Sequence, residues 1–130
     1  MKDSARFLRH SLRLDGIASG LTGALLLFAA RPVSALIGLS TPAVARVVGA
    51  GLVLYAAALL WNAGRSRVGR AETVAAVVLN AAWVLGSIAV IELGMLTPLG
   101  NIAVAAVALA VLTFAILEVI GLRRLHEVAA

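Results

Sequence analysis

The chain has 130 residues, 62% of them hydrophobic and 13% charged, with a mean hydropathy of +1.06. Charge at about half the density of an ordinary soluble domain is too sparse to cover a water-facing surface, whereas a lipid-facing surface needs none. The absence of cysteine excludes disulfides, thiolate metal sites and dithiol exchange. The net charge of +5 is split into short basic clusters between long uncharged runs, which is a topology signal and not a nucleic-acid footprint.

Residues 1–14 read as an amphipathic lead-in. Ala5, Leu8 and Leu12 fall on one helical stripe and Arg6, Arg9 and Arg13 on another, the pattern of a helix lying at the headgroups. It is expected to run straight into a first membrane helix over about 14–31. Its uncharged stretch 16–30 is shorter than the roughly 20 residues a hydrocarbon core requires, so Asp15 is expected at or just inside the interface. The same basic segment, apolar run and small residues Val33, Ser34 and Ala35 also fit a secretory signal, whose cleavage would leave three helices.

Arg31 and Pro32 end the first helix, and 33–39 is an apolar run too short to span, read as an outer loop or interfacial turn. Thr41 and Pro42 are the N-cap and first residue of a second helix over about 42–64. A third helix covers about 71–93 and stops at Gly94. Thr97 and Pro98 repeat the cap and open a fourth over about 98–122. The expected fold is therefore all-α: one polytopic membrane domain, residues 1–130, folded as a four-transmembrane-helix bundle.

Nine of the eleven basic residues lie on one side of that arrangement: Lys2, Arg6, Arg9 and Arg13, then Arg65, Arg67 and Arg70, then Arg123 and Arg124. Arg31 and Arg46 alone lie on the other. The positive-inside rule then puts both termini and the middle loop in the cytoplasm. Leu14, Asp15 and Thr22 correspond to Leu79, Asn80 and Ser87, and Thr41–Pro42 to Thr97–Pro98. That pattern is expected either of two parallel hairpins related about the membrane normal or of chance alignment between apolar helices.

Lipid gives helices no hydrophobic reason to associate, so packing rests on small residues and interhelical hydrogen bonds. Gly16 and Gly20, Ala45 and Gly49, Ala82 and Gly86, and Ala103, Ala106 and Ala110 are the expected seams, with Gly16 and Gly20 serving internal packing or a homo-oligomer contact. Polar residues at membrane depth are the functional candidates. Asp15, Tyr55, Asn62, Asn80, Trp83 and Glu118 are expected to line a polar cavity open to the cytoplasm. The alternative is that Asp15 and Glu118 pair with Arg67, Arg123 or Arg124 while Asn80 only bonds across helices. On the outer side Glu92 is expected to bridge to Arg46 or Arg31.

His10 and His126 lie outside the bilayer without a partner at ligand spacing, so no metal or cofactor is expected. No Ser, His and acid set and no phosphate-cradling glycine loop supports an enzyme.

The strings LRLDGIASG, at 12–20, and LNAAWVLGS, at 79–87, resemble a group of small bacterial four-helix inner-membrane proteins without assigned function. The layout is also similar to the DoxX-like proteins, some of which are linked to quinone or redox partners, a likeness of architecture that carries no residue across. The size and the acid in the first helix are similar to the small multidrug-resistance proteins, from which the strong basic bias departs. The expected function is a structural or accessory membrane component, whose partners are the lipid bilayer and either further copies of itself or a larger membrane complex. The alternatives are a small transporter or a binder of a lipid or quinone-like molecule. Nucleic acid is not expected.

Overall fold

The computed structural model describes residues 2–129, with side-chain burial over 3–126; the Lys2 side chain, counted in the first basic cluster, lies outside the described residues. These residues form five α-helices, α1 (Lys2–Phe28), α2 (Ala30–Ile37), α3 (Pro42–Gly64), α4 (Arg70–Glu92) and α5 (Pro98–Ala129), and no strand. All but α2 are long and apolar enough to cross a membrane. The 23 residues of α3 and of α4 extend roughly 34 Å, close to the thickness of a hydrocarbon core.

The surface is inverted relative to a soluble protein. Leu21, Val47, Leu54, Leu85, Ile102 and Leu109 are all more than 60% exposed, while Asp15, Asn62, Thr73, Asn80 and Glu118 are buried. The buried apolar residues are mostly alanines. Water would penalise this distribution, and lipid favours it.

Local chemistry sets the helix ends. Pro32 has no N–H to offer the carbonyl of Phe28, four residues earlier, and its ring crowds that carbonyl. The helix therefore breaks at Ala29 and restarts as α2, so 33–39, expected as a loop or turn, is mostly helical. Gly38 ends α2 in the left-handed region at φ 92°, with its N–H and that of Leu39 both on the Ser34 carbonyl. Thr41 caps α3 by accepting from the Ala43 N–H. Thr97 caps α5 by accepting from the Gly100 N–H at 3.0 Å and ties α5 to α2 by donating its hydroxyl to the Leu36 carbonyl at 2.7 Å.

The lead-in does not lie apart at the headgroups. As expected it runs unbroken into the first long helix, but its apolar stripe packs into the bundle, with Leu8 and Leu12 fully buried. There they join Leu59, Ala63 and Ala76 in an apolar layer bordered by Tyr55, Val68, Leu122 and Leu125. The start of α1, the α3–α4 connection and the end of α5 thus share one end of the molecule, here called the basic end. Arg124 stacks over Phe7 there, and Arg70 contacts His126.

Arg9 holds that end together. Its guanidinium donates to the carbonyls of Ala63, Arg65 and Ser66, closing the C-terminus of α3 with a cation. Arg9→Ala is expected to cost about 2 kcal/mol, the usual scale for charged hydrogen bonds, read as a lower detergent-unfolding midpoint. Arg9→Lys, which lacks the fork, is expected to restore only part of it.

α1 packs against α3, α4 against α5, and α1 against α5, giving two hairpins that both begin at the basic end. Gly16 lies against Leu60, Gly20 against Ala56, and Gly23 against Gly49, so the expected seam on α1 is internal and serves α3. Two other expected seams are corrected. No atom lies within 4 Å of a Cβ placed on Gly86, because Ala82 and Gly86 border a cavity rather than a helix. Ala106 is exposed, and Ala103 and Ala110 also line cavities. The buried face of α5 instead runs through Ala108, Ala115 and Glu118. α3 and α4, although consecutive, make the sparsest contact of any packed pair.

The expected outer salt bridge does not form. Glu92, Arg46 and Arg31 are all exposed, and among the described residues the one ion pair is Arg65–Glu72 at the basic end. α2 sits against α3 and α5, and the hairpins are joined on that side by the Thr97 N–H and hydroxyl on the Ile37 and Leu36 carbonyls. Exposed charges gain little by pairing, and these three are free to reach water or headgroups.

Candidate functional site

Asp15, Tyr55, Asn80 and Glu118, one residue from each spanning helix, meet inside the bundle. Asn80 is the centre. Its amide nitrogen donates to Asp15 Oδ2 at 2.9 Å and to Glu118 Oε2 at 3.3 Å, using both of its hydrogens. Its amide oxygen accepts from the Tyr55 hydroxyl at 2.9 Å, and the Ala76 carbonyl is 3.2 Å from that hydroxyl. Ser19, one turn beyond Asp15 on α1, donates to Asp15 Oδ1 at 3.0 Å. Acids on its nitrogen side and a hydroxyl on its oxygen side fix the orientation of the amide.

Asp15 and Glu118 are 0% exposed and Asn80 is 3% exposed. Neither acid is in an ion pair, so Arg67, Arg123 and Arg124 do not neutralise them. Asp15 is correspondingly enclosed between helices. Two acids meet without a base, and Glu118 Oε1 is buried with no hydrogen-bond partner. Such a group is expensive in a low-dielectric interior, which is the ordinary reason to read it as functional.

Asn62 lies elsewhere. It shares a helical stripe with Tyr55 but sits two turns nearer the basic end, where it accepts from the Gly69 N–H at 2.7 Å and donates to Thr73 Oγ1 at 3.2 Å. Its work is to clasp the α3–α4 turn. Ser19 is expected on the Asp15 face from its i, i+4 spacing, and it bonds to Asp15 there, whereas Thr73, which takes part in the clasp and is fully buried, carries no signal in the sequence that singles it out.

No family model, no curated protein and no solved structure matches this chain. The site is therefore read from its own chemistry. Among the described residues it holds no cluster of His, Cys, Asp or Glu able to bind a metal.

The space beside the cluster lies on the side opposite to the expected one. Towards the basic end it is closed by the layer of Leu8, Leu12, Leu59, Ala63 and Ala76, each within two turns of a cluster residue. On the other side is a cavity of about 400 Å³ whose polar lining comes from Ser19, Thr22, Tyr55 and Asn80. It adjoins an almost wholly apolar one of about 630 Å³, with Thr22, Val48, Leu79, Trp83 and Val107 bordering both. The cavity does not open to the basic end because the lead-in helix plugs it.

Trp83 stands where the two spaces meet. Its indole Nε1 is buried and has no acceptor, while its carbonyl accepts from Ser87 at 2.7 Å. An indole N–H in such a position usually finds a partner. The arrangement combines a long apolar space, an indole where its two parts meet and a hydrogen-bonding floor.

Proposed function

We propose that this chain is a multi-pass protein of the bacterial inner membrane, with its basic end in the cytoplasm, that binds one lipophilic molecule carrying a hydrogen-bond acceptor. The basic bias of that end supports the orientation. The observation that carries the binding reading is an apolar space of ligand size above a polar floor, with Trp83, whose N–H is buried and unpaired, at the junction of its two parts. A quinone or a lipid ester fits such a space, its chain along the apolar part and its polar head towards Tyr55 and Asn80 at the end. The reading assigns binding and no reaction. The small-residue seam on α1 is used within the chain, against α3.

The chain has two tryptophans, and Trp61 is 64% exposed on the outside of α3. In Trp61→Phe protein, Trp83 reports alone. Titration with a lipophilic benzoquinone is expected to quench it saturably at about one molecule per chain, and an alkane of equal length is expected to compete poorly. Quenching that only grows in proportion to quinone dissolved in the micelle would refute the reading.

A further inference from the structure

We propose that the ligand enters sideways from the bilayer, between α3 and α4, through an opening that Gly51 and Gly86 keep free, and that its apolar chain remains lodged there. This rests on the binding reading above and names where the ligand comes from: the ligand is a membrane-dissolved molecule with a flexible hydrocarbon chain, not a solute from water.

Three sides of the space are shut. Towards the basic end stands the Leu8, Leu12, Leu59 layer. At the opposite end α2 lies against α3 and α5, fastened by Thr97 on the Leu36 and Ile37 carbonyls. The α1–α3 seam is closed by backbone contact between Gly23 and Gly49. Between α3 and α4 the polar side chains reach across only from the basic end to mid-span, from Asn62 to Thr73 and from Tyr55 to Ala76 and Asn80.

Beyond Tyr55 the two helices present glycines. Gly51 lines the smaller cavity and Gly86 the larger, both are exposed, and neither has an atom within 4 Å of where a Cβ would stand. On the α1–α3 seam Gly23 and Gly49 admit a neighbouring backbone, whereas Gly51 and Gly86 admit nothing that belongs to the chain. Leu79 and Ala82, next to them on the cavity side of α4, are exposed as well while lining the same space. The opening is therefore flanked by the lipid-facing surface. The matter adjoining it is hydrocarbon, and no polar barrier has to be crossed. A Cβ at either glycine meets no atom of the chain, so there is room here for a larger side chain to start.

The test uses Trp61→Phe protein in phosphatidylcholine vesicles whose acyl chains carry bromine, a contact quencher of indole fluorescence. Brominated chains are expected to quench Trp83 strongly, and Gly51→Leu with Gly86→Leu to reduce that quenching several-fold while the unfolding midpoint is kept. Each single variant is expected to act part-way. Equal quenching with and without the leucines would overturn the entry route, as would absence of quenching in the parent. Saturable benzoquinone binding in the same preparations separates the two ideas: if it persists undiminished in the double leucine variant, only the lateral route fails. If it is absent from the parent, the binding reading itself fails.

Discussion

Asn80→Ala is expected to destabilise the bundle by about 3 kcal/mol, more than any other single polar substitution. Interhelical hydrogen bonds in membranes are individually modest, roughly 0.6–2 kcal/mol, and Asn80 makes three. The larger part of the effect is what alanine leaves behind. Asp15 would keep only Ser19, Glu118 would have no donor at all, and Tyr55 would retain only a carbonyl. Removing one partner from buried charged or strongly polar groups costs about 3–5 kcal/mol in soluble proteins, and the membrane-unfolded state recovers some of it by finding other partners.

Glu118→Gln separates the roles within the cluster. Glutamine keeps the shape, can still accept from Asn80 and adds a donor that can reach Asp15, while one of two acids facing each other without a base is removed. Its effect on the detergent-unfolding midpoint is expected to be within about 1 kcal/mol of zero, and in the stabilising direction if it moves. An Asn80→Ala loss below about 1 kcal/mol would mean that water already serves these groups and that the cluster is not a dry site.

The parts of this fold that were legible in the sequence are those decided locally or by rarity. Thr41–Pro42 and Thr97–Pro98 fix the starts of α3 and α5 because a cap and a proline act on their own turn. Asp15, Tyr55, Asn80 and Glu118 stood out because a lipid-embedded chain has few polar residues and must turn them inward. What was not legible required knowing which helix touches which. Asn62 lies on the Tyr55 stripe, but periodicity gives a face and not a depth, and at the end of a helix that face belongs to the turn. Glu92 and its expected arginines were matched by level alone, whereas α2 occupies the position from which the hairpins are joined. The direction of the cavity followed from the same error as the lead-in helix. Once Leu8 and Leu12 are placed inside the bundle and not on headgroups, the basic end is closed and the free space must lie beyond the cluster.

Two glycines on α3, two residues apart, are expected to respond to the same substitution with opposite signs. Gly49→Ala would place its Cβ 2.6 Å from the Gly23 carbonyl oxygen and 2.7 Å from the Leu27 nitrogen, and both are backbone atoms of α1 that no rotamer change can move. The seam has to open, at an expected cost of about 2–3 kcal/mol by the scale of overpacked cores. Gly51→Ala meets nothing and gains helix propensity, worth up to about 1 kcal/mol, so it is expected to be neutral or stabilising. Detergent-unfolding midpoints of the two variants measure both. Gly23→Ala repeats the Gly49 effect from the other side of the contact, and the double variant is expected to lose less than the two losses added together, because a seam already held apart by one methyl accommodates the second. Strict additivity would mean that Gly23 and Gly49 do not face each other, and the α1–α3 wall of the cavity would then have to be placed differently.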